Sequence, residues 1–330
     1  MGESIKNIDK SNMRNVILNF PEQFSVGLKV AQNIKVEGKF NGILVCGMGG
    51  SAFAPDILKI WLKNHKIDLP LHIHRNYGIP FQTDRNDLVV CSSYSGNTEE
   101  TISAFKEALK YKLEIAVITS GGKLAELSKK NNIPLILIPP GLQPRMAVGF
   151  QLAALVKLLA NCGILKDCKD ISSLSKTLNP KNLEIKGKDL AKKIKGKIPV
   201  VYSSLELKAI ARIWKIKFNE NSKIPAFFNS FPELNHNELV GFTNPANFHV
   251  IILEDFNDNP RNKKRMALTA KLLKQKGFPV DILEIKGKDI LYKVFENLLL
   301  ADWASYYLAL ELGFDPTPVK IIEEFKKQIK

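Results

Sequence analysis

The sequence predicts an α/β protein of two doubly wound parallel-sheet domains followed by a C-terminal helix. Three observations carry that prediction. Apolar strand-like runs alternate with segments of helical spacing, which is the pattern of βαβ units. The plan occurs twice, on either side of a polar, lysine-rich stretch. At 330 residues, 45% hydrophobic and 25% charged, the chain can bury two cores of ordinary size and is not a disordered polymer. The expected organisation is a first domain over 1–165, a linker region over 166–197, a second domain over 198–312, and a C-terminal segment and helix over 313–330.

The elements follow in order. Strand-like runs are expected at 42–45, 71–74, 88–91, 114–119 and 134–138, with helices over 51–63, 99–110 and 123–130 between them. The longest apolar stretch, 147–165, is interrupted by Gln151, Lys157 and Asn161, so it reads as a buried helix rather than a membrane span. In the second half, strands at 199–203, 248–253 and 279–285 alternate with helices over 205–218, 261–276 and 291–312. Asp315-Pro316-Thr317-Pro318 then breaks the chain before a final amphipathic helix.

The net charge is +15. Its lysines are spread over helical surfaces, with dense stretches at 181–197 and 261–276. Neither stretch has aromatic interleaving or a nucleic-acid motif, so they read as solvated faces whose field speeds capture of an anionic substrate. Neither nucleic acid nor a membrane is expected as a partner. The four cysteines, Cys46, Cys91, Cys162 and Cys168, have no CxxC or metal-ligand spacing. Two sit in apolar runs as small hydrophobes. Residues 1–10 are polar and lack a signal-peptide core. A reduced, cytoplasmic protein is expected.

The chemistry-bearing segments lie where strands end. Ser93-Tyr94-Ser95-Gly96-Asn97-Thr98 stands between an apolar strand and a helix. A helix N-terminus offers unpaired N–H groups and positive dipole, and the hydroxyls add donors that can converge on phosphoryl oxygens. With no lysine and no Walker spacing, the loop suits a monophosphate such as a sugar phosphate. An ordinary helix cap would need only one of those hydroxyls.

Gly47-Met48-Gly49-Gly50-Ser51-Ala52 fits the dinucleotide pattern after a strand, yet His72, His74 and Arg75 stand where an acidic ribose ligand belongs. Gly49, Gly50 and Ser51 therefore read as a close backbone approach to a sugar. Arg145, in an otherwise apolar stretch at the same sheet edge, is placed to stabilise an oxyanion. Glu220 closes a helix and suits a general base, although a solvated helix-end glutamate is the plainer reading. His236 lies in a crowded polar turn in which Asn235 and Glu238 have capping-box spacing, so it is expected as the first helical residue.

Together these segments resemble the bifunctional phosphoglucose/phosphomannose isomerases, within the wider family of sugar isomerase (SIS) domain proteins. The resemblance covers nearly the whole chain and adds the closing Asp-Pro-Thr317-Pro. It implies two SIS-type domains. It also implies an aldose–ketose isomerase of carbohydrate metabolism (glycolysis and gluconeogenesis), with no redox cofactor and no metal, acting on hexose 6-phosphates. By that resemblance Gly49, Gly50, Ser51, Ser93, Ser95 and Thr98 hold the sugar and its phosphate. Glu220 shuttles a proton between C1 and C2, Arg145 stabilises the cis-enediolate, and Thr317 matches a threonine linked to mannose 6-phosphate activity. His236 opens the hexose ring from the neighbouring subunit of a homodimer. The competing functions are a non-catalytic SIS sugar-phosphate sensor, an NAD(P) dehydrogenase, and another SIS enzyme such as an amino-sugar isomerase. Nothing in the sequence resembles the DNA-binding extension, acidic ribose ligand or glutaminase segment these respectively call for.

Overall fold

The computed structural model describes residues 7–244, 246–287 and 289–329. Residues 1–6, part of the N-terminal stretch read above as polar, lie outside them. The chain divides into two compact units, one of residues 19–178 and one in which the residues before Asn19 join those from Asn179 onward.

Helix α1 (Met13–Leu18) belongs to the C-terminal unit. The N-terminal unit runs α2 (Glu22–Val30), β1 (Gly42–Cys46), α3 (Phe53–Asn64), β2 (Leu71–His74), β3 (Asp87–Ser93), α4 (Glu99–Lys110), β4 (Glu114–Thr119), α5 (Gly122–Lys130), β5 (Leu135–Leu137), α6 (Val148–Asn161) and α7 (Lys169–Thr177). Its strands are all parallel, in the order β2-β1-β3-β4-β5. β1 and β3 are buried at every position, as strands covered on both faces must be, and so they read as unbroken apolar runs. The order reverses between them, which places a crevice at their carboxyl ends. Cys46 and Cys91 are paired in register there. The neighbouring Cys46 thiol and burial push the Cys91 thiol well above its ordinary range.

Helix α6 packs on α2 through a close approach. A Cβ on Gly27 would stand 2.7 Å from both the Ala153 Cβ and the Phe150 carbonyl. Buried Gln23 caps α6 from α2. Its Oε1 accepts from Gly149 N at 3.1 Å and Phe150 N at 3.4 Å, and its Nε2 donates to Met146 O at 2.7 Å.

The C-terminal unit contains α8 (Glu184–Ile194), β6 (Ile198–Ser204), α9 (Lys208–Asn221), β7 (Phe227–Phe231), α10 (Leu234–Gly241), β8 (Phe248–Asp255), α11 (Pro260–Gln275), β9 (Val280–Ile285), α12 (Ile290–Glu311) and α13 (Lys320–Gln328). Its sheet is also parallel, ordered β7-β6-β8-β9. One face is filled by Tyr202, Phe231, Leu234, Ile252, Met266 and Leu273 with their neighbours. α1 is tied into this unit by Asp9, which accepts from Met13 N at 2.7 Å and Tyr306 Oη at 3.1 Å. Arg14 forks onto Glu184 at 2.7 and 2.9 Å. Burial pushes the Glu184 carboxyl up, but hydrogen bonds from Arg14 and Tyr307 outweigh it and hold the group below its ordinary range.

Three expectations differ from the structure. The stretch 166–197, read as a linker, is largely helical: α7, a 3-10 turn at Pro180–Leu183 and α8. Its lysines lie outside, while Gly187, Leu190, Ala191 and Ile194 of α8 are buried. The unit boundary falls between Leu178 and Asn179, and residues up to Leu18 group with the second unit rather than the first. Strand β7 was not expected, because Asn229 and Ser230 break its apolar run.

Candidate active site

Both hydroxyl- and glycine-rich loops emerge at the β1/β3 crevice of the N-terminal unit. The first folds as a 3-10 turn, Gly49–Ala52, before α3 begins at Phe53. Gly49 holds φ +50°, and a Cβ on Gly50 would meet Arg145 N at 2.5 Å and Pro144 C at 2.6 Å. The glycine loop therefore lies directly against the backbone that carries Arg145. That arginine sits in a second 3-10 turn, Pro144–Met146, and is fully buried. Its Nη1 lies 3.5 Å from Gln143 Oε1.

The Ser93–Thr98 turn is joined to both neighbours. Ser51 Oγ accepts from Tyr94 N at 2.9 Å, linking it to the glycine loop. Tyr94 Oη donates to Pro139 O at 2.8 Å and accepts from Leu142 N at 3.0 Å, clamping the segment that leads to Arg145. Burial pushes the Tyr94 phenol above its ordinary range, which keeps that donor protonated. The sequence motif assigns Tyr94 no role, although an aromatic hydroxyl inside a turn of small residues is a signal for one. Gln23 was missed outright, since it acts on residues more than 120 positions away.

The hydroxyls divide in two. Ser51 and Ser93 are 4% and 0% exposed and hold the loops from beneath, whereas Ser95 is exposed and Thr98 half-buried. Thr98 occupies the N-cap position of α4 but makes no capping bond to the helix. Its Oγ1 instead lies 2.8 Å from Ser93 Oγ, which also accepts from Gly96 N at 3.1 Å. The first-turn N–H groups of α4 thus receive no cap from the Thr98 side chain and lie beside paired hydroxyls. Gly96 at φ +69° permits the turn, because a Cβ there would strike Gly121 O.

In the C-terminal unit, Glu220 is the penultimate residue of α9 and half-buried. Lys223 donates to the Glu220 carbonyl and, at 3.1 Å, to Pro316 O. This lysine brings the Asp315–Pro318 segment to the end of α9, where a cleft of about 680 Å³ is lined by Asn219, Glu220, Phe314, Asp315 and Pro318. Glu220 and the Thr317 segment are therefore neighbours.

His236 is exposed on the first turn of α10, but the capping box is not formed. The helix begins at Leu234, with Glu233 in the N-cap position and no side-chain cap. Glu238 is drawn away by Tyr202 Oη at 2.5 Å and by Asn229 Nδ2, while Asn235 Nδ2 donates to Thr269 Oγ1 at 2.9 Å. Tertiary partners for both polar side chains overrode the local motif.

The family description "Bacterial phospho-glucose isomerase C-terminal SIS domain" matches residues 184–329. The chain is 40% identical over 294 residues to the bifunctional phosphoglucose/phosphomannose isomerase of Aquifex aeolicus, spanning 88% of this chain and 91% of that one. It is 37% identical over 331 residues to the protein of the same name from Caldicellulosiruptor bescii, spanning 95% and 97%. A relative of another activity, the D-glucosamine-6-phosphate 4-epimerase of Sulfolobus acidocaldarius, is 31% identical over 86% of this chain and 87% of its own. The solved C-terminal domain of glucosamine-fructose-6-phosphate aminotransferase from Francisella tularensis superposes with a TM-score of 0.69 at 16% identity, covering 92% and 97%, a likeness of fold alone. Two parallel sheets, the first with hydroxyl-bearing loops at its strand ends, and this identity along nearly the whole length place the chain in the bifunctional phosphoglucose/phosphomannose isomerase family.

Proposed function

We propose that this protein interconverts glucose 6-phosphate and mannose 6-phosphate with fructose 6-phosphate through a cis-enediolate. The observation that carries the reading is the N-terminus of α4: Thr98 in the N-cap position does not cap it, and the Ser93 and Thr98 hydroxyls meet beside it at 2.8 Å. Such an arrangement suits three phosphoryl oxygens at the end of a neutral sugar chain. Phosphate held there supplies binding energy remote from the reacting carbons, which positions C1 and C2.

In this reading Gly49, Gly50 and Ser51 flank the sugar, Ser95 and Thr98 hold the phosphate, and Ser93, expected from the sequence as a further ligand but fully buried, orients Thr98 and Gly96 from beneath. Glu220 removes a proton from C2 of the aldose or C1 of the ketose and returns it to the other carbon. Arg145 stabilises the negative charge that develops on the enediolate oxygen. Glucose and mannose 6-phosphates differ only at C2, so one base serves both if the enediolate rotates relative to it. Thr317 influences that choice; the bond from Lys223 to Pro316 O, which brings its segment to the end of α9, supports the role. His236 protonates and deprotonates the ring oxygen system during opening, acting on the site of a second copy in a homodimer; its exposure on α10 supports that role. The setting is the cytoplasm. Among the described residues, no helix is long and apolar enough to cross a membrane.

The test is incubation with fructose 6-phosphate, following glucose 6-phosphate and mannose 6-phosphate separately. Both products are expected. Binding of fructose 6-phosphate without either product would favour a sugar-phosphate sensor. The relative named as an epimerase supplies a second reading: conversion of glucosamine 6-phosphate at C4, with fructose 6-phosphate left unchanged, would favour it.

A further inference from the structure

Helix α12 is the most thoroughly buried helix described in the C-terminal unit, with seventeen buried positions over 290–311. Three of those positions are polar residues that meet α9. Asn297 Oδ1 accepts from Trp214 Nε1 at 2.6 Å. Asp302 pairs with Lys217 Nζ at 2.5 Å, with side chains 4% and 2% exposed. Ser305 Oγ accepts from Asn221 Nδ2 at 2.9 Å, and the Ser305 carbonyl accepts from Ser222 Oγ at 2.8 Å. The rungs run in one direction along both helices, 214 to 297, 217 to 302 and 221 to 305.

A buried ion pair of this kind adds little net stability over apolar residues of similar size, but it is costly to break. Its consequence is register. Turning α9 by one residue, about 100°, would leave Lys217 and Asp302 as separate buried charges. It would also strip Asn221 and Trp214 of their partners. The helix is therefore fixed in rotation and translation, and the residue delivered at its end is Glu220, three positions after Lys217 and next to Asn221.

We propose that Lys217 and Asp302, with the Asn221–Ser305 rung, are positioning residues that set the direction from which the Glu220 carboxylate meets C1 and C2. The proposal rests on the reading of Glu220 as the base. Its specific consequence concerns the partition between glucose and mannose 6-phosphates, because one base must reach both faces of C2.

The experiment compares wild type, Lys217→Met/Asp302→Leu and Ser305→Ala, with Glu220→Gln as the reference for the base. Thermal melting gives the folded fraction, and initial rates of both products from fructose 6-phosphate give kcat, KM and the glucose-to-mannose ratio. The apolar pair keeps the core filled while removing the charge lock. It is expected to lower kcat about tenfold or more, leave KM within about threefold, and shift the product ratio by at least about threefold. Ser305→Ala, which retains the ion pair, is expected to shift the ratio in the same sense by a smaller factor, and it carries the test if the double variant does not fold. Loss of folded protein scales both products equally, so it cannot move their ratio. An unchanged ratio in folded variants, with Glu220→Gln inactive, overturns the positioning role alone. A fully active Glu220→Gln overturns the base assignment and this proposal with it.

Discussion

Replacing Gly50 with alanine would put a methyl carbon 2.5 Å from Arg145 N, 2.6 Å from Pro144 C and 2.8 Å from Arg145 Cα. All three neighbours are backbone atoms, so no side chain can rotate out of the way. Restoring a contact of ~3.5 Å requires the glycine loop and the Arg145 turn to part by about 1 Å. The Arg145 turn is held by Tyr94 through Leu142 and Pro139, and by Gln23 through Met146, so it resists that movement. Overpacking of this sort costs about 1–3 kcal/mol of stability. Misplacement by 1 Å of a group that stabilises an oxyanion costs about 100-fold in rate. The Gly50→Ala protein is therefore expected to fold with a lowered melting temperature and to convert fructose 6-phosphate with kcat reduced about 100-fold. Steady-state kinetics beside a thermal melt would read both. A folded variant with wild-type kcat would refute the claim that contact between these two turns sets the position of Arg145.

Other consequences are measured more simply. On the proposed phosphate-binding role of Thr98, Thr98→Val removes a ligand hydroxyl without emptying the core, so KM for fructose 6-phosphate should rise tenfold or more, from the ~1.5–3 kcal/mol of a hydrogen bond to a charged group, with melting nearly unchanged. Gln23→Leu removes one hydrogen bond to the Met146 carbonyl and the side-chain acceptor shared by Gly149 N and Phe150 N. A loss of about 1–3 kcal/mol should appear as a melting temperature lower by roughly 3–10 °C. Asp281 is held at about 2 by its hydrogen bond to His249, at 2.8 Å, and by Lys193. Because its folded-state pKa is depressed, its stabilisation is present above the unfolded value near 3.9 and lost as pH falls through about 2. Asp281→Asn should melt below wild type at pH 7, with the gap closing between about pH 4 and pH 2.

The fold of the N-terminal unit was legible because its signals are local. β1 and β3 are unbroken apolar runs, and each is followed at once by the loop it positions. The hydroxyl turn could be read as a strand-to-helix turn for the same reason. What escaped reading depends on partners remote in sequence. Asn235 and Glu238 have capping-box spacing, but their side chains are taken by Thr269, Tyr202 and Asn229. The lysines of 166–197 suggested a linker because the apolar positions of α8 are few and small, and Gly187 allows Trp303 close approach. Asp9 gave no sign that it would receive Tyr306, 297 residues away, and bind the N-terminal segment to the second unit. Lys217 reads in the sequence as one more lysine on a helix surface; in the structure it is buried and paired with Asp302, 85 positions away.

The assignment of Glu220 as the proton-transfer base is tested most directly by Glu220→Gln, assayed for fructose 6-phosphate turnover and, by calorimetric titration, for fructose 6-phosphate binding. The carboxamide keeps the shape and removes the base, so kcat should fall by about 100- to 10,000-fold while the dissociation constant stays within about threefold. Full turnover by the variant would contradict the assignment and move the base to Glu233.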